Sequence, residues 1–482
     1  MQGWSATAVD VAMAAGASYA DARLVQHESD AVHVRNGSLE DLTSGRSRGL
    51  GVRVIAGGAW GFAATSELTD AVVREAARRA VDLARAAATT ATEPVRLAPV
   101  EPATDDVRAR FEVDPRDVPL PDRVALLMEC DRLMRRQQIA VAEGRLSVLR
   151  QSRHLCTSEG AEIYEERIET GAGISATAVD GRESQRRSYP ASHGGQAMTR
   201  GWEVIEELRL ADHAEEIAAE AVALLNAPIC PSGPMDLILA GGQLGLQLHE
   251  SCGHPIELDR VLGTEASYAG MSFLTPDKLG SFRYGSPLVN ITADATIPGG
   301  LGSFGYDDEG VPAQRTDIVR EGIFVGYLTS RETAATLGLG ASNGCMRADG
   351  WARLPIIRMT NINLEPGDTP LAEIIATTER GILIEHNLSW SIDDRRLNFQ
   401  FGGEVGRMIE DGQITGIVRN PTYTGITPEF WGSCDAVADA DTWLVQGLAN
   451  CGKGEPGQTA HVGHGVSAAR FRGVRVGVLS DE

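Results

Sequence analysis

Ala227-Pro-Ile-Cys-Pro-Ser-Gly-Pro234 places three prolines within eight residues, and this stretch divides the chain. Proline has no backbone N–H and a fixed φ, so neither a helix interior nor a central strand can cross such a segment. The 482 residues exceed what one hydrophobic core usually organises. A boundary here gives an N-terminal α+β domain over 1–229 and a C-terminal β-rich domain over 230–482.

Working back from the boundary, Trp202 to Leu225 reads as a helix, and Arg145 to Arg150, Glu162 to Glu169 and Gly173 to Val179 as three antiparallel strands. Pro121 to Arg136 and Thr69 to Ala88 have helical spacing. Nearer the start, strand patterns over Tyr19–Glu28 and Asp30–Arg35 lead into Asn36-Gly37, and Gly57-Gly58 separates 51–56 from 60–65. Both pairs suit two-residue hairpin turns. A first helix over Ala6 to Ala15 should stop at Gly16.

Forward of the boundary the texture changes to glycine and short β-patterned runs. Glu321-Gly322 and Asp411-Gly412 each read as a turn feeding a strand. Helices are predicted at Gly242 to Ser251 and at Thr369 to Thr378, where Thr369 can cap and Pro370 can occupy the first turn. The whole is α+β: a mixed N-terminal part with antiparallel strands, then an antiparallel β part carrying one helix of special interest.

Composition narrows the function. Lys and Arg total 44 against 66 Asp and Glu, a formal charge of −22 that repels a phosphate backbone, so nucleic acid is excluded as a partner. Hydrophobic residues make up 43%, enough for folded cores, yet no run of about 18 apolar residues is uninterrupted, which excludes a membrane span. The start lacks a basic leader and carries Asp10 and Asp21, so no secretion signal is read. Seven thinly spread cysteines do not form a disulfide framework and fit a reducing, cytoplasmic setting.

The chemistry is concentrated after the short apolar strand Met235 to Leu239, where His249-Glu-Ser-Cys-Gly-His254 forms an H-E-x-x-x-H pattern. Histidines four apart on a helix are offset by about 40° and can meet one metal ion; five apart, they are offset by about 140°. A regular helix therefore cannot carry this site. Gly253 before His254 and Pro255 after it both oppose a regular helix, and a π-like bulge or a terminal turn would swing His254 back toward His249. The alternative is two unrelated histidines, one exposed and one hydrogen-bonded in the core. A catalytic zinc takes three protein ligands, and Glu257, Asp259, His386, Cys434, Cys451, His461 and His464 are the candidates for the third. Cys451, in a glycine-rich turn that would present a thiolate, and Glu257 rank equally on the residues alone.

The chain resembles the TldD/PmbA family of metallopeptidases, in its TldD-like, active branch. Besides the histidine motif, the resemblance is carried by Arg48-Gly-Leu-Gly-Val-Arg-Val-Ile55 with Trp60-Gly-Phe-Ala-Ala-Thr65, by Asp308-Glu-Gly-Val-Pro-Ala-Gln-Arg-Thr316, by Arg358-Met-Thr-Asn361, by Asn420-Pro-Thr-Tyr423 and by Cys451-Gly-Lys453. It implies that His249, His254 and Cys451 hold one zinc ion per subunit, that Glu250 activates water as general base, and that Glu257 supports the site or enters a salt bridge. PmbA-type relatives lack the metal motif. The resemblance also implies short or unfolded peptides as substrates, and pairing as a homodimer or with a PmbA-like paralogue.

His461-Val-Gly-His464 departs from the family pattern, and His464 is the better candidate of the two for a substrate or oxyanion contact. Two rival readings remain: an inactive partner subunit of a heterodimer, and a zinc hydrolase of non-peptide amides or esters. Elsewhere, Trp390-Ser-Ile-Asp-Asp-Arg-Arg396 reads as a solvated turn or interdomain ion pair, Arg186-Arg187 as surface charge, and Tyr423 as packing.

Overall fold

The computed structural model describes residues 3–454 and 457–477. The chain opens with helix α1 (Gly3–Ala14), followed by strands β1 (Tyr19–Arg35), β2 (Ser38–Ala56) and β3 (Ala59–Thr65) and by helix α2 (Asp70–Ala88). β1 and β2 turn at Asn36 and Gly37, both at positive φ (49° and 78°), and β2 and β3 turn at Gly57 and Gly58, as read from the sequence. The two patterns before Asn36 are one uninterrupted strand. Thr69 caps α2 by accepting from the Val72 N–H, and the buried stripe from Val73 to Ala84 lies on β3. Gly61 makes that approach possible, because a Cβ there would sit 2.1 Å from the Ala80 carbonyl oxygen.

The sheet is completed by β4 (Thr104–Val107), β5 (Ile139–Thr157), β6 (Glu162–Asp180), β7 (Glu183–Tyr189) and β8 (Gln196–Met198), in the order β3-β2-β1-β5-β6-β4, with β7 and β8 also paired to β6. Helix α3 (Leu120–Met134) packs against it. The strands expected separately at 162–169 and 173–179 are therefore the single strand β6. Its internal glycines are not turn residues: a Cβ on Gly173 would lie 2.5 Å from the Gly195 Cα, so they admit the neighbouring chain. The helix expected over 202–225 is two, α4 (Glu203–Leu208) and α5 (Leu210–Asn226), broken where Arg209 adopts left-handed φ and ψ of 46° and 45°.

Past the prolines, β9 (Gly233–Leu239) lies within a nine-stranded sheet, parallel to Arg380–Ile384 on one side and antiparallel to Ala469–Val476 on the other. This sheet is thus mixed and not purely antiparallel. Leu237, Ile238 and Leu239 are all fully buried, as a strand covered on both faces requires. A six-stranded sheet pairs Ile291–Asp294, Asn361–Leu364, Gln458–Val466 and Leu444–Lys453 among others. Helix α6 (Gly241–Leu248) follows β9 directly and packs against both sheets. The predicted helix near 369 runs only over Leu371–Ala376; Pro370 takes the cap position and Thr369 provides no cap.

The two halves meet through buried ion pairs. Asp308 accepts from Arg23 and from Arg153, while Arg53 bridges Asp21 and Glu309 at 2.8 and 3.2 Å. Every one of these side chains is at least nine-tenths buried, and each charge faces an opposite one. Arg187, read as surface charge, is likewise buried between Glu220 and Glu404.

Candidate metal centre

The backbone after α6 widens where the sequence requires it. Residues His249–Gly253 form a π turn, and the His254 N–H donates to the His249 carbonyl, five residues back. The extra residue absorbs the rotation that a regular helix would impose, and a 3₁₀ turn at His254–Ile256 then leads out past Pro255. The two imidazoles lie with ring centroids 4.8 Å apart and planes at 87°. Gly253 allows the turn to settle against Met359, whose Sδ would be 2.4 Å from any Cβ at that position.

Cys451 completes the group. Its Sγ is 3.4 Å from His249 Nε2 and 3.9 Å from His254 Nε2, and one ligand-type atom from each of the three residues lies within 4.8 Å of the others. A tetrahedral zinc with ordinary Zn–S and Zn–N bonds would set sulfur and nitrogen roughly 3.6 Å apart, so these residues fit that ion. Cys451 sits on the strand Leu444–Lys453, opposite Ala460, and not in the glycine-rich turn expected from its sequence. Residues 455 and 456 of that turn lie outside the described residues.

The nitrogens facing away from the cluster are held. His254 Nδ1 is 2.9 Å from Glu257 Oε2, and Glu257 is itself fully buried beside Lys453 and Arg260. His249 Nδ1 is 2.9 Å from His464 Nε2, and His464 Nδ1 is 3.3 Å from the Ile362 carbonyl oxygen. Such partners select the tautomer that leaves Nε2 free for a metal. Burial lowers the pKa of both histidines, and that of His254 falls well below its usual value. Burial alone would raise the Cys451 thiol, but the hydrogen bond to His254 and the Arg358 cation bring it below the ordinary thiol range. Arg358 Nη2 lies 3.2 Å from the sulfur and donates to the Cys451 carbonyl at 2.6 Å. A thiolate with neutral imidazoles is the state in which such ligands bind metal.

Of the other residues weighed as third ligand, Asp259 pairs with Lys453 at 2.7 Å, His386 bonds the Pro190 carbonyl, Cys434 is buried beside the Ala436 carbonyl, and His461 pairs with Glu169. None of them joins the cluster. His464, considered for substrate contact, has both ring nitrogens engaged within the protein. Tyr423 is buried with its hydroxyl bonded to Gln243 and Gln247, as its packing role requires. The segment read as a solvated turn or an interdomain ion pair makes an ion pair inside the C-terminal half: Arg396 Nη1 donates to Glu250 Oε2 at 2.6 Å. Nothing in the local pattern signals this, because the contact spans 146 residues.

Three family models cover the chain in order: the PmbA/TldA metallopeptidase domain 1 over residues 20–88, the central domain over 113–225 and the C-terminal domain over 232–477. The chain belongs to the TldD/PmbA family of metallopeptidases. A metalloprotease of Methanocaldococcus jannaschii is 30% identical over 94% of this chain and 95% of its own. A metalloprotease TldD homolog of Haemophilus influenzae is 27% identical over 95% of this chain and 92% of its own. The fold matches the crystal structure of TldE from Thermococcus kodakarensis, with a TM-score of 0.72, 17% identity and coverage of 98% of this chain and 99% of that one. No helix among the described residues is long and apolar enough to cross a membrane.

Proposed function

We propose that this chain is a zinc-dependent peptidase in which His249, His254 and Cys451 hold one ion per subunit and Glu250 is the general base. The observation that carries the reading is the convergence of two Nε2 atoms and one Sγ, with the opposite nitrogens tied to Glu257 and His464. A zinc ion held there would polarise a scissile carbonyl and make a water acidic enough to lose its proton near neutral pH. Glu250 takes that proton as the water oxygen bonds to the carbonyl carbon and the π pair moves onto the carbonyl oxygen. When the pair returns, the C–N bond breaks and Glu250 delivers the proton to the leaving amine. Its Oε1 has no hydrogen-bond partner among the described residues, so one oxygen stays available while Arg396 holds the other.

His249, Glu250, His254 and Cys451 are each exposed by 6% or less, which favours short or unfolded peptides that can thread in as extended chains. A homodimer, or a heterodimer with a PmbA-like paralogue, in the cytoplasm completes the proposal, with residues 230–482 as the catalytic domain. The test is elemental analysis with cleavage of a mixed peptide library. Wild type should carry zinc and cleave peptides. Glu250→Gln should keep the zinc and lose about 10²- to 10⁴-fold in kcat. Zinc-loaded protein that cleaves esters but no peptides would overturn the reading.

A further inference from the structure

The turn that carries Arg396 is fastened on every side. Asp393 accepts backbone N–H bonds from Arg395, Leu397 and Asn398, and the Asp394 and Arg395 carbonyls accept from Met271 and Phe273. Thr427 donates to the Arg396 carbonyl at 3.0 Å. Within this frame Arg396 has a φ of 62°, a left-handed conformation that is strained for a residue with a Cβ and collects at functional sites. The strain directs a long cationic side chain, 14% exposed, onto Glu250.

Only one end of the guanidinium is used. Nη1, on the side of the stem, donates to Glu250 Oε2 at 2.6 Å. Nε is buried without a partner, and Nη2 makes no hydrogen bond among the described residues. Nε is covered by protein, like the unpaired Nε atoms of Arg23, Arg260 and Arg358, so the exposed part of the side chain leaves Nη2 as the donor open to a ligand that arrives with the substrate.

We infer that Arg396 is a catalytic residue whose free Nη2–H donates to the scissile carbonyl oxygen as that oxygen gains negative charge, while Nη1 fixes Glu250. The inference rests on the peptidase reading. Donors aimed at a developing oxyanion in a water-poor site favour the transition state over the bound substrate, so the effect belongs in kcat and not in KM.

The test uses the zinc-loaded full chain and a phosphinic tetrapeptide, whose tetrahedral anion resembles the addition intermediate. Arg396→Ala and Arg396→Lys should retain zinc and keep KM within about threefold. Arg396→Ala should lose about 10²- to 10³-fold in kcat, equally on peptides with free and amidated C-termini, and Arg396→Lys less. Phosphinate affinity should fall in parallel, and should fall by the same factor when Arg396→Ala is added to Glu250→Gln. A kcat within about threefold of wild type, a loss confined to free C-termini, or a phosphinate effect that vanishes in the Glu250→Gln background would overturn the inference alone. If zinc-loaded wild type neither cleaves peptides nor binds the phosphinate, the peptidase reading falls and takes this inference with it.

Discussion

Two clusters in this molecule offer the same kinds of ligand. His249, His254 and Cys451 meet beneath α6, and His154, Cys156 and Glu162 meet across β5 and β6; in each, the ligand-type atoms lie within 4.8 Å of one another. They differ in what surrounds them. In the first, each histidine is fixed from behind and the cysteine is drawn toward the thiolate by His254 and Arg358. In the second, burial pushes the Cys156 thiol up to about 12, and His154 Nε2 meets only a long contact of 3.4 Å with Glu162, whose side chain is 56% exposed. Cys156 belongs to the apolar cluster under α1 and α2. Proximity is thus common to both, whereas ionisation and orientation separate a candidate metal centre from a set of neighbours.

The sharpest way to break this contrast is to remove the sulfur from each cluster. Cys451→Ala should abolish stable zinc binding and reduce peptide cleavage by at least about 10³-fold, since a three-ligand site left with two imidazoles holds the ion poorly. Cys156→Ala should leave zinc content and activity unchanged. Elemental analysis after dialysis, with kinetics on the same samples, checks both. Zinc retained in Cys451→Ala, or lost in Cys156→Ala, would reverse the assignment of the two clusters.

The distinction was only partly legible in the sequence. His249, Glu250 and His254 are adjacent in the chain, and Gly253 and Pro255 announce the break in the helix that their spacing demands. The turns at Asn36-Gly37, Gly57-Gly58 and Asp411-Gly412 are equally local, because a positive φ at two consecutive positions narrows the residue choice. The rest depends on partners far along the chain. Glycines inside β6 look like breaks until the segment around Gly195 lies against them. Arg187 looks solvated until Glu404, 217 residues away, closes over it. Arg396 meets Glu250, and Cys451 lies on a strand, only because the sheets fold over α6.

A smaller effect tests the supports behind the ligands. Glu257→Gln removes the anion facing His254 Nδ1 and leaves the buried Lys453 with two carboxylates, Asp259 and Glu265. Loss of such a partner lowers zinc affinity by about 10- to 100-fold, measurable by competition with a chromogenic chelator. His464→Ala should weaken binding less, because a neutral imidazole, and not a carboxylate, is lost behind His249. Affinities equal to wild type in both variants would mean that the three ligand atoms alone determine the site.

The smallest effect concerns the cluster without a fixed thiolate. Burial lowers the pKa of His154, with Glu162 opposing it, so the folded chain resists protonating a ring that the unfolded chain protonates near 6.5. The stabilising contribution is therefore complete above pH 6.5 and is lost as the pH falls toward the depressed folded-state value, at no more than about 1.4 kcal/mol per pH unit. Between pH 7 and 5.5 the wild type should lose more stability than His154→Gln, within that ceiling, read from urea unfolding at both values. The experiment is informative because zinc at His154 would reverse the comparison. With a metal on that ring, adding zinc at pH 5.5 would restore the lost stability in the wild type but not in His154→Gln. With no metal on that ring, zinc leaves the difference between the two proteins unchanged, and any stabilisation it brings is shared by both through His249, His254 and Cys451.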